Sequence, residues 1–452
     1  MALKQMDALA ALREAAGEVI ETSLCDVQGN WLALVNAEEG KRLAFAAKGE
    51  AALSALWKDV EKEADVKDVH VSVMALNANN AALVRRYVKW TAPTACGTKG
   101  ASIGFSDWLG EADAVVAELF GKRQLKPVLI DFTTEDSEAL QRYFVQAVDT
   151  ATWGVLEEGY KEGYGANAAG LKTEEEIVKA LLYGYSMIGF DCSDKIDLGI
   201  EKLSDEAVDK RFEQFNETFR AALHASYLNA EFKVGTSKIT FTENQLHRIV
   251  LEYGEAIMHI QFIYNSYLKN TPWDIDFELD LSKPGKVLTP QEHYLIGNEL
   301  QRNGIKLSSI CLDPLKDSEA VNDNLQLHCE IADTFGYRLS FKNADIAMND
   351  TAAAMKYLKG KVHFKMNNIL WMSAIELVKA LDADLFGKLC AACGCEATAD
   401  AADRALVLGY RKALNPKEES NVAADMKAFL EAHHAEYAAA IKENVAAKLK
   451  NI

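Results

Sequence analysis

The sequence predicts an α/β protein built on a (β/α)8 barrel, and three observations carry that prediction. From about residue 100, eight short strand-like runs recur; helical sequence follows each of them; and the last strands split cleanly into one apolar and one polar face. The runs are 101–107, 126–132, 164–169, 185–192, 273–281, 305–313, 337–343 and 361–367. Repeated βα units imply a parallel sheet, and this number of them implies closure. Intervening stretches such as TEEEIVKALLYG and TPQEHYLIGNELQRNG open on Thr ahead of an acidic first turn and stop near Gly, as capped helices do.

Around this barrel (96–412) the chain divides further. Residues 1–95 hold strand-like pieces (NWLALVNA, KRLAFAAKG, VHVSVMAL) and read as an α+β cap. A helical insertion at about 200–268 interrupts the barrel after its fourth strand, with two long helical patterns flanking a short hairpin candidate, AEFKVGTSKITF. Residues 413–452 read as a C-terminal helical extension.

Composition excludes several function classes. Acids number 67 against 49 lysines and arginines, a net charge of −18, which opposes phosphate backbones and anionic lipid surfaces. Neither nucleic acid nor membrane is expected as a partner. The longest apolar runs fall short of the ~18 residues a membrane span needs. The acid-bearing N-terminus does not read as a secretory signal, and the eight scattered cysteines do not form a disulfide framework. A cytoplasmic location follows as the expectation, while oligomeric state is left open. The CAACGC stretch (Cys390, Cys393, Cys395) lacks a fourth zinc ligand and reads as a helix end stopped by Gly394.

The chemistry is expected inside the barrel. In WDIDFELDLS (273–282) acids alternate with aliphatic and aromatic residues, and the apolar face must pack under helices. The same parity in YRLSFKN and KVHFKMN sends Lys342, His363 and Lys365 inward with Glu278, near the strand ends where sites of this fold lie. Such charges are costly to bury unless paired or bound to a ligand. They form either an ion-pair network, Glu278 with Lys365, or a pocket for a small anionic molecule. Asp107, Asn167, Asp191, Asp194, Asp313 and Asn367 stand at strand ends as further candidates. His293 reads as a cap or surface residue, and His224, His247, His259 and His328 as core or surface histidines of helices.

The segments GFSDWLG, YGANAAGLKTEEEI, MIGFDCSDKID, FELDL, HCEIADTFGYRLSF and VHFKMNN resemble, in order and spacing, the tagaturonate epimerases over roughly residues 100–410. That resemblance implies a barrel enzyme that inverts a carbon of a keto-sugar acid in uronate catabolism. Asp107 and Glu278 would be its acid–base pair, acting next to a carbonyl. A sugar acid would contact Lys342, His363, Lys365, Asn167, Asn367 and Asp313. The family's divalent metal is also implied, but Gly170 and Lys342 stand where ligand histidines are expected, Trp108 replaces an arginine, and SKPG replaces an acidic run. An ammonium cannot coordinate a metal, so no cofactor is expected. Three functions fit: an epimerase or isomerase of sugar acids, an inactive relative that binds one, or a Schiff-base lyase or aldolase using Lys342 or Lys365.

Overall fold

Eight parallel strands close into a barrel, and all eight fall within or next to the expected runs. The computed structural model describes residues 2–452 apart from 39, 50–53, 122, 124, 282–287, 316–317, 349–350 and 451, so the SKPG expectation lies outside the described residues. The N-terminal sheet comprises β1 (Glu18–Val27), β2 (Asn30–Ala37), β3 (Gly40–Lys48), β4 (Val60–Val66) and β5 (Val69–Met74). It is antiparallel, in the order β1-β2-β3-β5-β4. Sequence patterning missed β1 and β4. β4 reads VEKEADV and is mostly exposed, an edge strand whose charges hide the apolar alternation.

The barrel strands are β6 (Ser102–Phe105), β7 (Lys126–Thr133), β8 (Gly165–Leu171), β9 (Met187–Asp191), then after a small hairpin of β10 (Phe232–Val234) and β11 (Ser237–Ile239), β12 (Asp276–Asp280), β13 (Ser309–Leu312), β14 (Arg338–Phe341) and β15 (Val362–Met366). Closure is made where β15 pairs with β6. One side-chain set of each strand, including Ile103, Phe105, Phe277, Leu279, Leu339, Phe341 and Phe364, joins a single core beneath the helices. Burial of that apolar area outside the barrel forces the alternate set inward. Helix starts follow the sequence signals: Thr173 with Glu176 and Thr289 with Glu292 form reciprocal capping boxes.

The insertion departs from expectation in one respect. Its first helical pattern is two helices, Asp205–Phe212 and Glu217–Tyr227, separated where Asn216 accepts from the Thr218 N–H and caps the second. The second pattern runs as Glu243–Ile263 into a π turn at Tyr264–Leu268. The insertion packs along the outer wall. The Tyr227 hydroxyl meets Glu299 and accepts from Asn298 (2.7 Å), and Phe232 lies 4.8 Å from the Tyr294 ring. Helix His434–Leu449 closes the far side, where the Tyr437 hydroxyl donates to the Leu370 carbonyl (3.2 Å).

Candidate functional site

The acids of WDIDFELDLS end in different places because a strand climbs about 3.3 Å per residue through the barrel. Asp274 is exposed before the strand begins. Asp276 closes the N-terminal end, accepting from the backbone N–H groups of Cys96 (2.6 Å) and Gly97 (3.0 Å). Glu278 sits in the middle of the lumen and Asp280 toward the C-terminal mouth, where it pairs with Lys342.

Glu278 is the end of a buried chain. Lys365 Nζ donates to Glu278 Oε1 (2.5 Å) and lies 3.4 Å from Asp131 Oδ1, while Ser309 donates to the other Glu278 oxygen (2.9 Å). Asn167 Nδ2 donates to Asp131 (2.9 Å), and His363 Nε2 lies 3.4 Å from its second oxygen. On the other side of His363, Nδ1 faces Ser102 Oγ (2.9 Å), which also accepts from Arg338 (2.8 Å). Nδ1 also lies 3.3 Å from the Ser102 carbonyl, so the ring is held between Ser102 on one side and Asp131 on the other.

Burial pushes the Glu278 and Asp131 carboxyls up, but Lys365 and His363 outweigh it and hold both below the ordinary carboxylate range. Burial likewise pushes Lys365 down, and its two carboxylates override that and hold it well above a normal lysine. Lys342 is also raised, by Asp280 against its own desolvation. Both lysines are therefore firmly cationic. Small residues make room for this chain: a Cβ on Gly104 would lie 2.2 Å from Asp131 Oδ2, and one on Gly189 would lie 3.2 Å from Asn167 Oδ1. Among the described residues, Asn167 Oδ1 and Ser340 Oγ are buried without a hydrogen-bond partner.

Glu278, Lys365, His363 and Asn167 are thus brought together. Asn367 joins at the rim, donating to Ser106 (2.8 Å) and the Asp131 carbonyl (3.1 Å). Asp313 accepts from the Leu315 N–H (3.1 Å) beside Asn343. Asp107 is placed otherwise: its two oxygens accept from the backbone N–H groups of Gly110 (2.8 Å) and Ala112 (2.7 Å). The loop it ties is anchored to the outer wall, where Trp108 stacks on Tyr410 (centroids 3.4 Å apart). Asp191 accepts from the Ser193 N–H (2.8 Å), and Lys172 bridges it to Asp194. His293 is neither a cap nor exposed; it is buried between His328 (2.9 Å) and the Tyr337 hydroxyl (2.8 Å).

Sequence reasoning overlooked Asp131, the hub of the chain. Its signal was present, since Asp131 is the one acid in the apolar run KPVLIDF. A register shift between Val128 and Ile130 breaks the simple parity there. The donors at the places expected for the family's metal do not fit a divalent cation. Lys342 offers an ammonium bound to Asp280, and Gly170 offers only backbone, its carbonyl already accepting from Thr134 (3.0 Å) at a φ of +71°.

Fold and lumen together define a (β/α)8-barrel protein with a charged, hydrogen-bonded interior. The chain belongs to the tagaturonate epimerase family, whose model matches residues 20–436. It is 27% identical over 383 residues to a tagaturonate/fructuronate epimerase of Thermotoga maritima, covering 82% of this chain and 78% of that one. Native and two-glycerol crystal structures of a fructuronate-tagaturonate epimerase from Cohnella laeviribosi superpose with TM-scores of 0.83 and 0.85, each at 25% identity and 98% coverage of both chains. Among the described residues, no helix is long and apolar enough to cross a membrane.

Proposed function

We propose that this protein interconverts tagaturonate and fructuronate, or closely related keto-sugar acids, by acid–base chemistry in the barrel lumen, between Glu278 and the mouth where Lys342 lies. The observation that carries this reading is the buried hydrogen bond of Lys365 to Glu278, which holds that carboxyl below the ordinary range, in a chain of the tagaturonate epimerase family. An ionised carboxylate is the form a base requires. Tagaturonate and fructuronate differ at the second carbon from the ketone, so Glu278 takes the proton of the hydroxyl there. The bond from that carbon to the carbon beside the ketone breaks, leaving an aldehyde and an enolate. It re-forms on the other face of the aldehyde as the protonated Glu278 returns the proton. The electrons of the broken bond move toward the ketone oxygen, and a fixed cation there lowers the barrier. Lys342, held cationic by Asp280, is the cation assigned to that oxygen. Its side chain is 19% exposed at the mouth, whereas Lys365 is 2% exposed and serves to hold Glu278. Asn167, Asn367 and Asp313 are assigned to substrate hydroxyls. Asp107, which lies beside Trp371 and Tyr437 and holds the Gly110 and Ala112 N–H groups, is assigned to loop anchoring instead of proton transfer.

A second reading, a relative that binds a sugar acid without turning it over, is favoured by the Lys342–Asp280 pair and Gly170 at the expected ligand positions. NMR of tagaturonate and of fructuronate incubated with the protein decides between them. Interconversion that survives EDTA and is lost in Glu278→Gln supports acid–base turnover by lysines and carboxylate. Ligand binding with no conversion, with or without added manganese, establishes the inactive relative. Conversion that requires manganese overturns the metal-free assignment.

A further inference from the structure

The insertion carries a cluster of ligand atoms separate from the lumen. His224 lies in the last turn of helix Glu217–Tyr227, and Glu243 and His247 lie one turn apart at the start of helix Glu243–Ile263. The ligand atoms of His224, Glu243 and His247 are all within 4.8 Å of one another. The two Nε2 atoms face each other at 2.9 Å. Behind them, His247 Nδ1 is 2.7 Å from Asp209 Oδ1. A carboxylate only accepts, so the neutral His247 carries its proton on Nδ1 and turns the Nε2 lone pair toward His224 and Glu243. A carboxylate behind an imidazole is also the arrangement that orients a metal-bound histidine and raises its basicity. Phe212 fixes the rings, lying flat on His247 (3.8 Å, 15°) and parallel to His224 (5.5 Å, 8°).

We propose that His224, Glu243 and His247 bind a zinc-class divalent cation, with Asp209 positioning His247. Two imidazoles and one carboxylate are a zinc donor set, completed by water at the fourth position. His247 is buried, His224 half-buried and Glu243 exposed, so the ion enters from solvent. The ligands come from two helices, Glu217–Tyr227 and Glu243–Ile263, and Asp209 ties in a third, Asp205–Phe212, so the ion staples the insertion together. The competing arrangement is an imidazole–imidazole hydrogen bond with a proton on His224 Nε2 and no ion.

Full-length protein stripped by chelator and titrated with Zn²⁺ against a chromophoric competitor separates the two. Expected are one equivalent of zinc per chain, a melting temperature that rises with zinc concentration, and visible absorption of a four-coordinate site on Co²⁺ loading. Zinc uptake is lost in His224→Gln and reduced in Glu243→Gln, an exposed position where the fold is not at risk. Asp209→Asn weakens affinity by about 10–100-fold. No uptake by the wild-type protein, or equal uptake by His224→Gln and Glu243→Gln, overturns the site.

Discussion

Lys365 joins Glu278 across the barrel interior, its Nζ 2.5 Å from Oε1, with Asp131 3.4 Å away on the other side. Two carboxylates, each 1% exposed, therefore share one ammonium that is 2% exposed. Removing the cation leaves Glu278 without a charged partner, while Asp131 keeps Asn167 and His363, and this costs about 3–5 kcal/mol. Lys365→Met is expected to lower the unfolding free energy by that order, seen as a large fall in the denaturation midpoint. A change below about 1 kcal/mol would mean the carboxylates take up protons or water without penalty.

Glu278→Gln keeps the shape and the Ser309 contact but removes the base. Epimerase turnover is expected to fall by about 10²–10⁴-fold, with KM changed far less. Equal loss in kcat and rise in KM would assign Glu278 to binding instead.

Gly104 faces the same carboxylate. Its added Cβ would meet Asp131 Oδ2 at 2.2 Å and His363 Cε1 at 3.1 Å, both in side chains pinned by hydrogen bonds. Gly104→Ala is expected to cost about 1–3 kcal/mol and to reduce activity by displacing Asp131. Thermal melts and initial rates check both; wild-type values in each would show that Asp131 can shift freely.

Neither lysine should act as a Schiff-base nucleophile, because attack needs the neutral amine and both are held cationic by carboxylates. Borohydride added with tagaturonate is expected to leave the protein mass unchanged. A covalent adduct on Lys342 or Lys365 would restore the lyase reading.

His293 and His328 predict an acid limb of stability. Burial depresses both, His328 to about 4, so the unfolded chain binds protons that the folded one refuses as pH falls below about 6.5. Their contribution is complete above the unfolded value and is lost on descending through the folded one. His328 alone is worth on the order of 3 kcal/mol over that window. Melting temperature should fall steeply from pH 6.5 to 4, and His328→Phe should flatten the slope; parallel wild-type and variant curves would refute the assignment.

The sequence by itself determined the barrel, because period-two alternation in β12, β14 and β15 and the capped helices between strands are local signals that burial can only satisfy one way. It also determined that Glu278, His363 and Lys365 share the interior, since parity alone sends them there. It could not determine that Asp131 is the hub, because a register shift in β7 sets its direction and register belongs to pairing between distant segments. Nor could it place Asp107 or His293. An aspartate at a strand end can face the lumen or cap the next loop, and Gly110 and Ala112 decided the matter by presenting their N–H groups. His293 was turned into the core by His328 and Tyr337, which lie 35 and 44 residues away along the chain. The three helices that bring Asp209, His224 and His247 together are likewise a product of packing, as no spacing in the sequence brings those residues within reach.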